Sequence, residues 1–533
     1  MNTGQNVYLK QNVQVEPLFN QWYAWTYLVS PATAAMYISN LHLKIMQSFV
    51  SAPDVHVAAC KNPAMLGGPF IRYGPNKVGE IKALLDRTMR EQVHMLEFAK
   101  AVKSLDEMLT NDASGFSLEP LYQKIPDILK GYVELVYDLN NNPSFRFLEG
   151  LLYESPYYNR SSQSLALSLI EKDDRPFVLS TPRLEDERIL MLHLPFKNEG
   201  LDELFKMKHE PGPFLHIKES LGVSDAEEDL FKSFFTDREE ATINPRYDGD
   251  KVRIRYFGHG CILIEWNGCS LLTDPLISYK YDNGIQRYTF ADLPEVIDYV
   301  LLTHNHQDHI MFEVLLQLRH KIRNVIVPKN SGGPADPSLK LILRHIGMRN
   351  VTEIEELETI DVGPGSVTGL PFLGEHADLN IRTKIAYLIR MGSRSIMCVA
   401  DSNNLEPKLY DHLHDVFGDL DILFIGMECQ GAPLSWLYGP LITQPLARKQ
   451  DQSRRFDGSD YEKGIGIVDR FKFKHVYVYA MGMEPWLTHI TSIEYTKDSH
   501  QIIESDKLVA DCRGRGITAE RLFGQKEILL DPQ

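Results

Sequence analysis

The sequence predicts an α+β protein built from two domains, a mixed α/β domain over residues 1–247 and a β-rich domain over 248–533. Three observations predict it. At 533 residues the chain is too long for one hydrophobic core, so division into domains follows from surface-to-volume scaling. The polar stretch 244–250, with Pro245 and Gly249, separates helix-periodic from strand-periodic sequence. Beyond it, the apolar run Tyr299-Val300-Leu301-Leu302 ends in a loop holding three histidines and an aspartate within six residues, His304-Asn305-His306-Gln307-Asp308-His309.

Taken in order, residues 1–29 are polar and then aromatic, with Phe19, Trp22, Tyr23, Trp25 and Tyr27 expected to pack an extended segment onto the body. Ser30-Pro31 reads as an N-cap with proline in the first helical position, opening a helix to about Val50. The Pro/Gly-rich stretch 61–75 is a loop in which Gly67-Gly68 is a structural turn. Apolar residues at Ile81, Leu84, Leu85, Met89, Val93, Leu96 and Phe98 predict one long amphipathic helix over 78–109. A further helix is expected over 125–139, stopped by Asn140-Asn141-Asn142-Pro143. Residues 177–180 and 189–194 read as strands, and Ser224-x-x-Glu227 is a capping box opening a short helix.

After the boundary, 251–256 alternates as a half-buried strand should, and 262–266 and 270–273 flank Asn267-Gly268 as a hairpin on a type I′ turn closed by Asp274-Pro275. Further strands are expected at 325–327, 386–389, 396–400, 422–425 and 475–479.

Composition removes several function classes. Hydrophobic residues at 43% and charged residues at 24% are ordinary for a globular chain. A net charge of −16 argues against non-specific nucleic-acid binding and against an anionic membrane surface. No apolar run reaches membrane-spanning length, and no basic-then-apolar leader is evident at the N-terminus. The six scattered cysteines form no C-x-x-C pair and suggest reduced thiols in a cytoplasmic protein. A Cys261–Cys269 disulfide across the hairpin is the alternative.

The chemistry concentrates in the histidine-rich loop. His304 and His306 can turn toward one metal, and Asp308 and His309 toward a second, since imidazole nitrogen and carboxylate oxygen suit zinc, iron or manganese. Asp401, at the end of the run 395–400, fits a carboxylate bridging two metals. Glu375-His376, after the apolar run 370–373, leaves two options open. If His376 binds, the set is four imidazoles and two carboxylates, which suits zinc. If Glu375 binds, three carboxylates and three imidazoles suit two irons that pass through the ferric state, because hard oxygen donors favour the higher charge.

His304-x-His306-x-Asp308-His309 resembles the signature of the metallo-β-lactamase superfamily, whose fold is an αββα sandwich. Residues 374–379, the run from Gly426-Met427-Glu428-Cys429-Gln430-Gly431 to Trp436-Leu437-Tyr438-Gly439-Pro440, and Asp451-Gln452-Ser453-Arg454-Arg455 resemble one branch, the CmlA-like di-iron β-hydroxylases of chloramphenicol-type biosynthesis. That resemblance implies His304, His306 and Glu375 on one iron, Asp308 and His309 on the other, and Asp401 bridging. His376 would then hydrogen-bond to Glu375 and orient it.

The resemblance further implies an O2-dependent monooxygenase with two Fe ions and an external electron donor, hydroxylating the β-carbon of an amino acid tethered through phosphopantetheine to a peptidyl carrier protein. Trp436 and Tyr438 are expected to wall the pocket, with Glu428 a substrate or supporting group and His489 near the site. Arg454 or Arg455 could bind the phosphopantetheine phosphate, and His259 is expected in a core or supporting position. The N-terminal domain would shape the channel, contact the carrier or form a homodimer. The alternatives are a dizinc hydrolase of thioesters, lactones or phosphodiesters, and a metal-stabilised scaffold without catalysis.

Overall fold

In the computed structural model, residues 6–240 and 244–531 are described; residues 1–5 of the predicted N-terminal segment lie outside them. Two seven-stranded sheets pack face to face in the C-terminal half. The first contains β1 (Val252–Gly258), β2 (Cys261–Trp266), β3 (Cys269–Thr273), β4 (Ile297–Leu301), β5 (Ile322–Pro328) and β6 (Val351–Ile354). The second runs through β7 (Thr359–Asp361), β8 (Gly365–Leu370), β9 (Ala386–Met391), β10 (Arg394–Cys398), β11 (Ile422–Gly426), β12 (His475–Tyr479) and β13 (Thr518–Arg521), and β14 (Lys526–Leu530) returns to the first. The orders are β6-β5-β4-β3-β2-β1-β14 and β7-β8-β9-β10-β11-β12-β13.

Each sheet is antiparallel at one side and parallel at the other. The parallel strands all leave at the same end, and their carboxyl ends carry the loops of interest, as is general for ligand sites in such sheets. Alternation puts Ile254, Ile262, Ile264 and Leu271 inward against Tyr387, Ile389, Ile396 and Phe424, making the core between the sheets. Helices Lys408–Phe417, Tyr461–Phe471 and His500–Gly514 cover the outer face of the second sheet through Leu413, Ile467, Val468 and Leu508.

The outer face of the first sheet is covered by helices Phe312–Leu318 and Leu339–His345 and, over them, by the N-terminal part of the chain. One apolar cluster runs without interruption from Trp25, Phe49 and Phe98 to Val300, Leu315 and Leu343. The N-terminal part is thus the thickened outer α layer of an αββα sandwich. Its largest sheet holds Val13–Phe19, Trp22–Tyr23, Gln163–Leu169 and Leu190–Leu192.

The hairpin, the 31–51 helix and the capping box form as the sequence predicts. Asn267 and Gly268 have φ of 45° and 75°, the sign at both positions that a type I′ turn requires. The 31–51 helix carries a π-turn at Ile38–His42, where His42 stacks on Trp22 at 3.9 Å.

Three expectations fail. The 78–109 helix is two, Val78–Glu91 and Val93–Asp112, because Gln92 leaves the helical region and ties its side chain to Ser162. Residues 125–139 form a 3₁₀ turn and strand Val133–Tyr137, which pairs with Pro143–Phe147; the asparagine run is a hairpin turn rather than a helix stop. Residues 177–180 are a turn, not a strand. All six cysteines are free, so the hairpin carries no disulfide. Among the described residues no helix is long and apolar enough to cross a membrane.

Candidate dinuclear metal centre

The loop after β4 is fixed from below by a residue the sequence reading assigned only to closing the hairpin. Asp274 follows β3, is fully buried and adopts a φ of 32°. Its carboxylate accepts from the Thr303 amide at 2.7 Å, the Thr303 hydroxyl at 2.6 Å and His309 Nδ1 at 2.8 Å.

These bonds set the tautomers. The Thr303 hydroxyl spends its proton on Asp274, so it accepts from His304 Nδ1 at 3.0 Å and leaves His304 Nε2 with a free lone pair. His309 gives its Nδ1 proton to Asp274 and turns Nε2 toward Asp401, 2.9 Å away. His306 lies 3.0 Å through Nε2 from the Tyr438 hydroxyl and presents Nδ1. Three imidazoles, each held by a partner at one ring nitrogen, therefore turn the other ring nitrogen toward one region.

Two of the three carboxylates, Glu375 and Asp401, arrive from the second sheet. Glu375 lies in a loop of left-handed residues, with Gly374, Glu375, Ala377 and Asp378 at φ of 71°, 65°, 50° and 59°. Backbone held in that region costs on the order of 1–3 kcal/mol per non-glycine residue and persists only where surroundings impose it. Here Lys384 Nζ donates to the Gly374 carbonyl at 2.9 Å. Asp401 follows Ala400, which is also left-handed at φ 44°.

Ligating atoms of His304, His306 and Glu375 all lie within 4.8 Å of one another, as do those of His304, His309 and Asp401. Glu375 Oε2 is 3.0 Å from His306 Nδ1, and Asp401 Oδ2 is 2.9 Å from His309 Nε2 and 3.5 Å from His304 Nε2. Asp401 thus sits between the two groups. Asp308 forms a third group with His309 and His259, which shares His309 with the second.

His259 was expected in a core or supporting position and lies in that third group. Its Nδ1 accepts from the Gly482 amide at 3.0 Å, which leaves the proton on Nε2, 3.4 Å from Asp308 Oδ2. The same nitrogen lies 3.0 Å from His309 Nε2, so with its proton there His259 faces both other members of that group as a donor.

The residues fit a metal pair. His304 Nε2, Glu375 Oε2 and Asp401 Oδ1 are buried and lack a hydrogen-bond partner, a costly arrangement unless a cation lies among them. The charges point the same way. Burial and the neighbouring imidazoles hold His304 well below the usual range. His309 is held well above it by Asp401 and Asp274, burial notwithstanding. Burial raises Glu375 to about 7, with Asp401 and Asp308 adding to the shift. Three carboxylates and three imidazoles are the harder, oxygen-rich set that suits iron.

His376 stacks on His306 at 4.5 Å, with Nδ1 3.2 Å from Glu375 Oε2. Neither of its nitrogens has a hydrogen-bond partner, and burial depresses its basicity.

A cavity of about 330 Å³ opens in front of the cluster, lined by Glu428, Trp436 and Phe456 among others. Tyr438 is buried behind His306. Leu66 and Gly67 also line it, and Trp436 Nε1 donates to the Gly67 carbonyl at 2.9 Å. The glycine turn, read from sequence as merely structural, is therefore part of the wall; nothing in its local pattern signals that contact across the chain.

Arg454 and Arg455 brace this rim, donating to the Ala377 and Gly431 carbonyls. His489 stands apart from the cluster. It is buried beside Tyr23 and lines a separate small cavity with Arg175 and Glu313.

Comparison with known proteins agrees with this geometry. Residues 8–239 match the family described as the diiron non-heme beta-hydroxylase N-terminal domain, and residues 253–431 match the beta-lactamase superfamily domain. The 4-amino-L-phenylalanyl-[CmlP-peptidyl-carrier-protein] 3-hydroxylase of Streptomyces venezuelae is 39% identical over 98% of this chain and 99% of its own. The crystal structure of CmlA, a diiron beta-hydroxylase from the same organism, matches with a TM-score of 0.93 at 38% identity, covering 99% of this chain and 100% of that one. A glutamate-to-aspartate variant of CmlA matches at 0.91 and 38%, covering 98% and 100%. With that identity sustained across both domains, the chain is a hydroxylase on a metallo-β-lactamase scaffold and belongs to the diiron non-haem β-hydroxylase family.

Proposed function

We propose that this chain hydroxylates the β-carbon of an amino acid held as a thioester on a peptidyl carrier protein. His304, His306 and Glu375 would hold one iron, Asp308 and His309 the other, and Asp401 would bridge them. The observation that carries the reading is a chain of overlapping donor groups, each within 4.8 Å: His304, His306 and Glu375 share His304 with the group of His304, His309 and Asp401, which shares His309 with the group of His259, Asp308 and His309.

An iron pair bound there would supply O2 activation, consuming two electrons from an external donor and two protons for each oxygen atom inserted and each water released. The chain's own residues do the rest. Asp274, Thr303 and Tyr438 hold the three imidazoles in their ligating tautomers. Trp436, Leu437 and Phe456 exclude water from the pocket wall. Asp401 and Glu375 would supply the pair with hard carboxylate donors that suit a higher metal charge.

The N-terminal domain, sharing a core with the first sheet, closes the pocket from the outside through Leu66 and Gly67 in this reading. The relative named above acts on a carrier-bound amino acid, which supports the tethered substrate.

The test is turnover of carrier proteins loaded with a panel of L-amino acids, with O2 and a chemical reductant, followed by mass spectrometry. The expected result is a one-oxygen gain at the β-carbon of at least one substrate, abolished by Glu375→Ala with fold intact. Stoichiometric zinc with thioester hydrolysis and no oxygenated product would contradict it.

A further inference from the structure

The cavity wall carries four carboxylates and neither lysine nor arginine. Asp308, Glu375 and Asp401 are accounted for by the candidate centre. Glu428 is not. It sits two residues beyond β11, and its main chain is fixed by the Gly458 amide, which donates to its carbonyl at 2.9 Å. Its carboxylate, half-buried and facing the cavity, has no hydrogen-bond or ion-pair partner among the described residues. Beyond the candidate centre the lining is apolar or uncharged polar: Trp436, Leu437, Phe456, Gln430, Gln501 and the hydroxyl residues Thr491 and Ser492. A carboxylate short of a partner is costly, and the wall beside Glu428 offers no lysine or arginine. Apart from the metal pair, the cation that would complete it is one carried by the substrate.

We infer that Glu428 anchors the α-ammonium of the carrier-tethered amino acid, so that this enzyme acts on free aminoacyl thioesters and rejects N-acylated ones. The inference rests on the substrate class proposed above. The α-nitrogen lies two bonds from the β-carbon, so a contact that fixes the nitrogen also fixes the carbon to be oxidised. The side chain would then lie along Trp436 and Phe456. Acylation of the nitrogen removes its charge and leaves Glu428 facing a neutral amide. Hydroxylation is thereby placed before condensation: the reaction that supplies the substrate is amino-acid loading onto the carrier, and the one that consumes the product is peptide or amide bond formation.

The experiment uses the full-length iron-loaded enzyme and Glu428→Gln, which keeps shape and removes charge. The probes are the carrier bearing the amino acid best turned over by the wild type, and the same carrier after N-acetylation. Iron content, carrier affinity and kcat/KM are read for each pair. A charge-assisted hydrogen bond is lost in the variant, so about 10- to 100-fold weaker binding and kcat/KM for the free-amine probe are expected. Iron content should be unchanged, and wild-type discrimination against the acetylated probe should collapse in the variant. Equal wild-type use of both probes would overturn the inference, as would unchanged variant affinity or variant loss of iron. If the wild type hydroxylates no aminoacyl carrier at all, the substrate-class reading fails and this inference with it; failure of the inference alone shows only in an active wild type.

Discussion

Asp274 governs which nitrogen of two histidines faces the metal region, although it touches no other candidate ligand. Three donors converge on its carboxylate: the Thr303 amide, the Thr303 hydroxyl and His309 Nδ1. In Asp274→Asn the amide supplies one acceptor atom and one donor group, so at least one of those donors meets a donor. Iron affinity should fall about 10- to 100-fold, as for other residues that orient metal ligands. Metal titration of the apoprotein would measure it, with circular dichroism as the fold control; unchanged affinity would remove Asp274 from this role. Its local sequence gives no such signal. Asp274-Pro275 looks like any strand-end turn, and its partners lie 29 and 35 residues away. His304, His306, Asp308 and His309 were legible because their spacing is local. Asp401 and Glu375 were legible only through the strands before them. The choice between Glu375 and His376 came from resemblance, not from the residues.

Among the elements, those with a short-range period were read well. The hairpin at Asn267-Gly268 declares itself through a turn dipeptide between alternating strands. The failures occur where tertiary contacts override local pattern. Gln92 breaks a continuous apolar stripe by bonding to Ser162, and Val133–Tyr137 hid its two-residue period behind helix-compatible composition.

The helix Phe312–Leu318, directly after the histidine-rich loop, is joined to the N-terminal part by buried charges. Arg175 pairs with Glu313 at 2.8 Å and with Glu16 at 2.6 Å, and Arg183 pairs with Glu16 at 2.8 Å. Arg175→Met would leave carboxylates buried and short of a partner, which typically costs about 3–5 kcal/mol. Although burial opposes it, Arg183 and Arg175 lower Glu16 from 4.5 to about 2. A depressed acid contributes stability that is present above pH 4.5 and is lost as pH falls toward 2. Denaturant melts should show the loss at neutral pH and a shallower acid limb in the variant. Equal stability and an unchanged acid limb would argue against the cluster as the tie between the two parts.

At the scale of the whole molecule, the N-terminal part is outer layer and pocket wall together. Its core merges with the sheet that carries the histidine loop, and its glycine turn meets Trp436 across the cavity mouth. Composition announced an ordinary mixed domain there, and no motif pointed to the site, because the contribution is shape and main-chain carbonyls rather than reactive side chains.

The central claim is a pair of irons shared between the loops of two sheets. Diffraction from crystals of the iron-loaded protein, collected on either side of the iron absorption edge, tests it most directly. The account predicts two iron peaks, one among His304, His306 and Glu375 and one between Asp308 and His309, with Asp401 touching both. A single peak, scattering only at the zinc edge, or Glu375 turned away with His376 on the metal would contradict it.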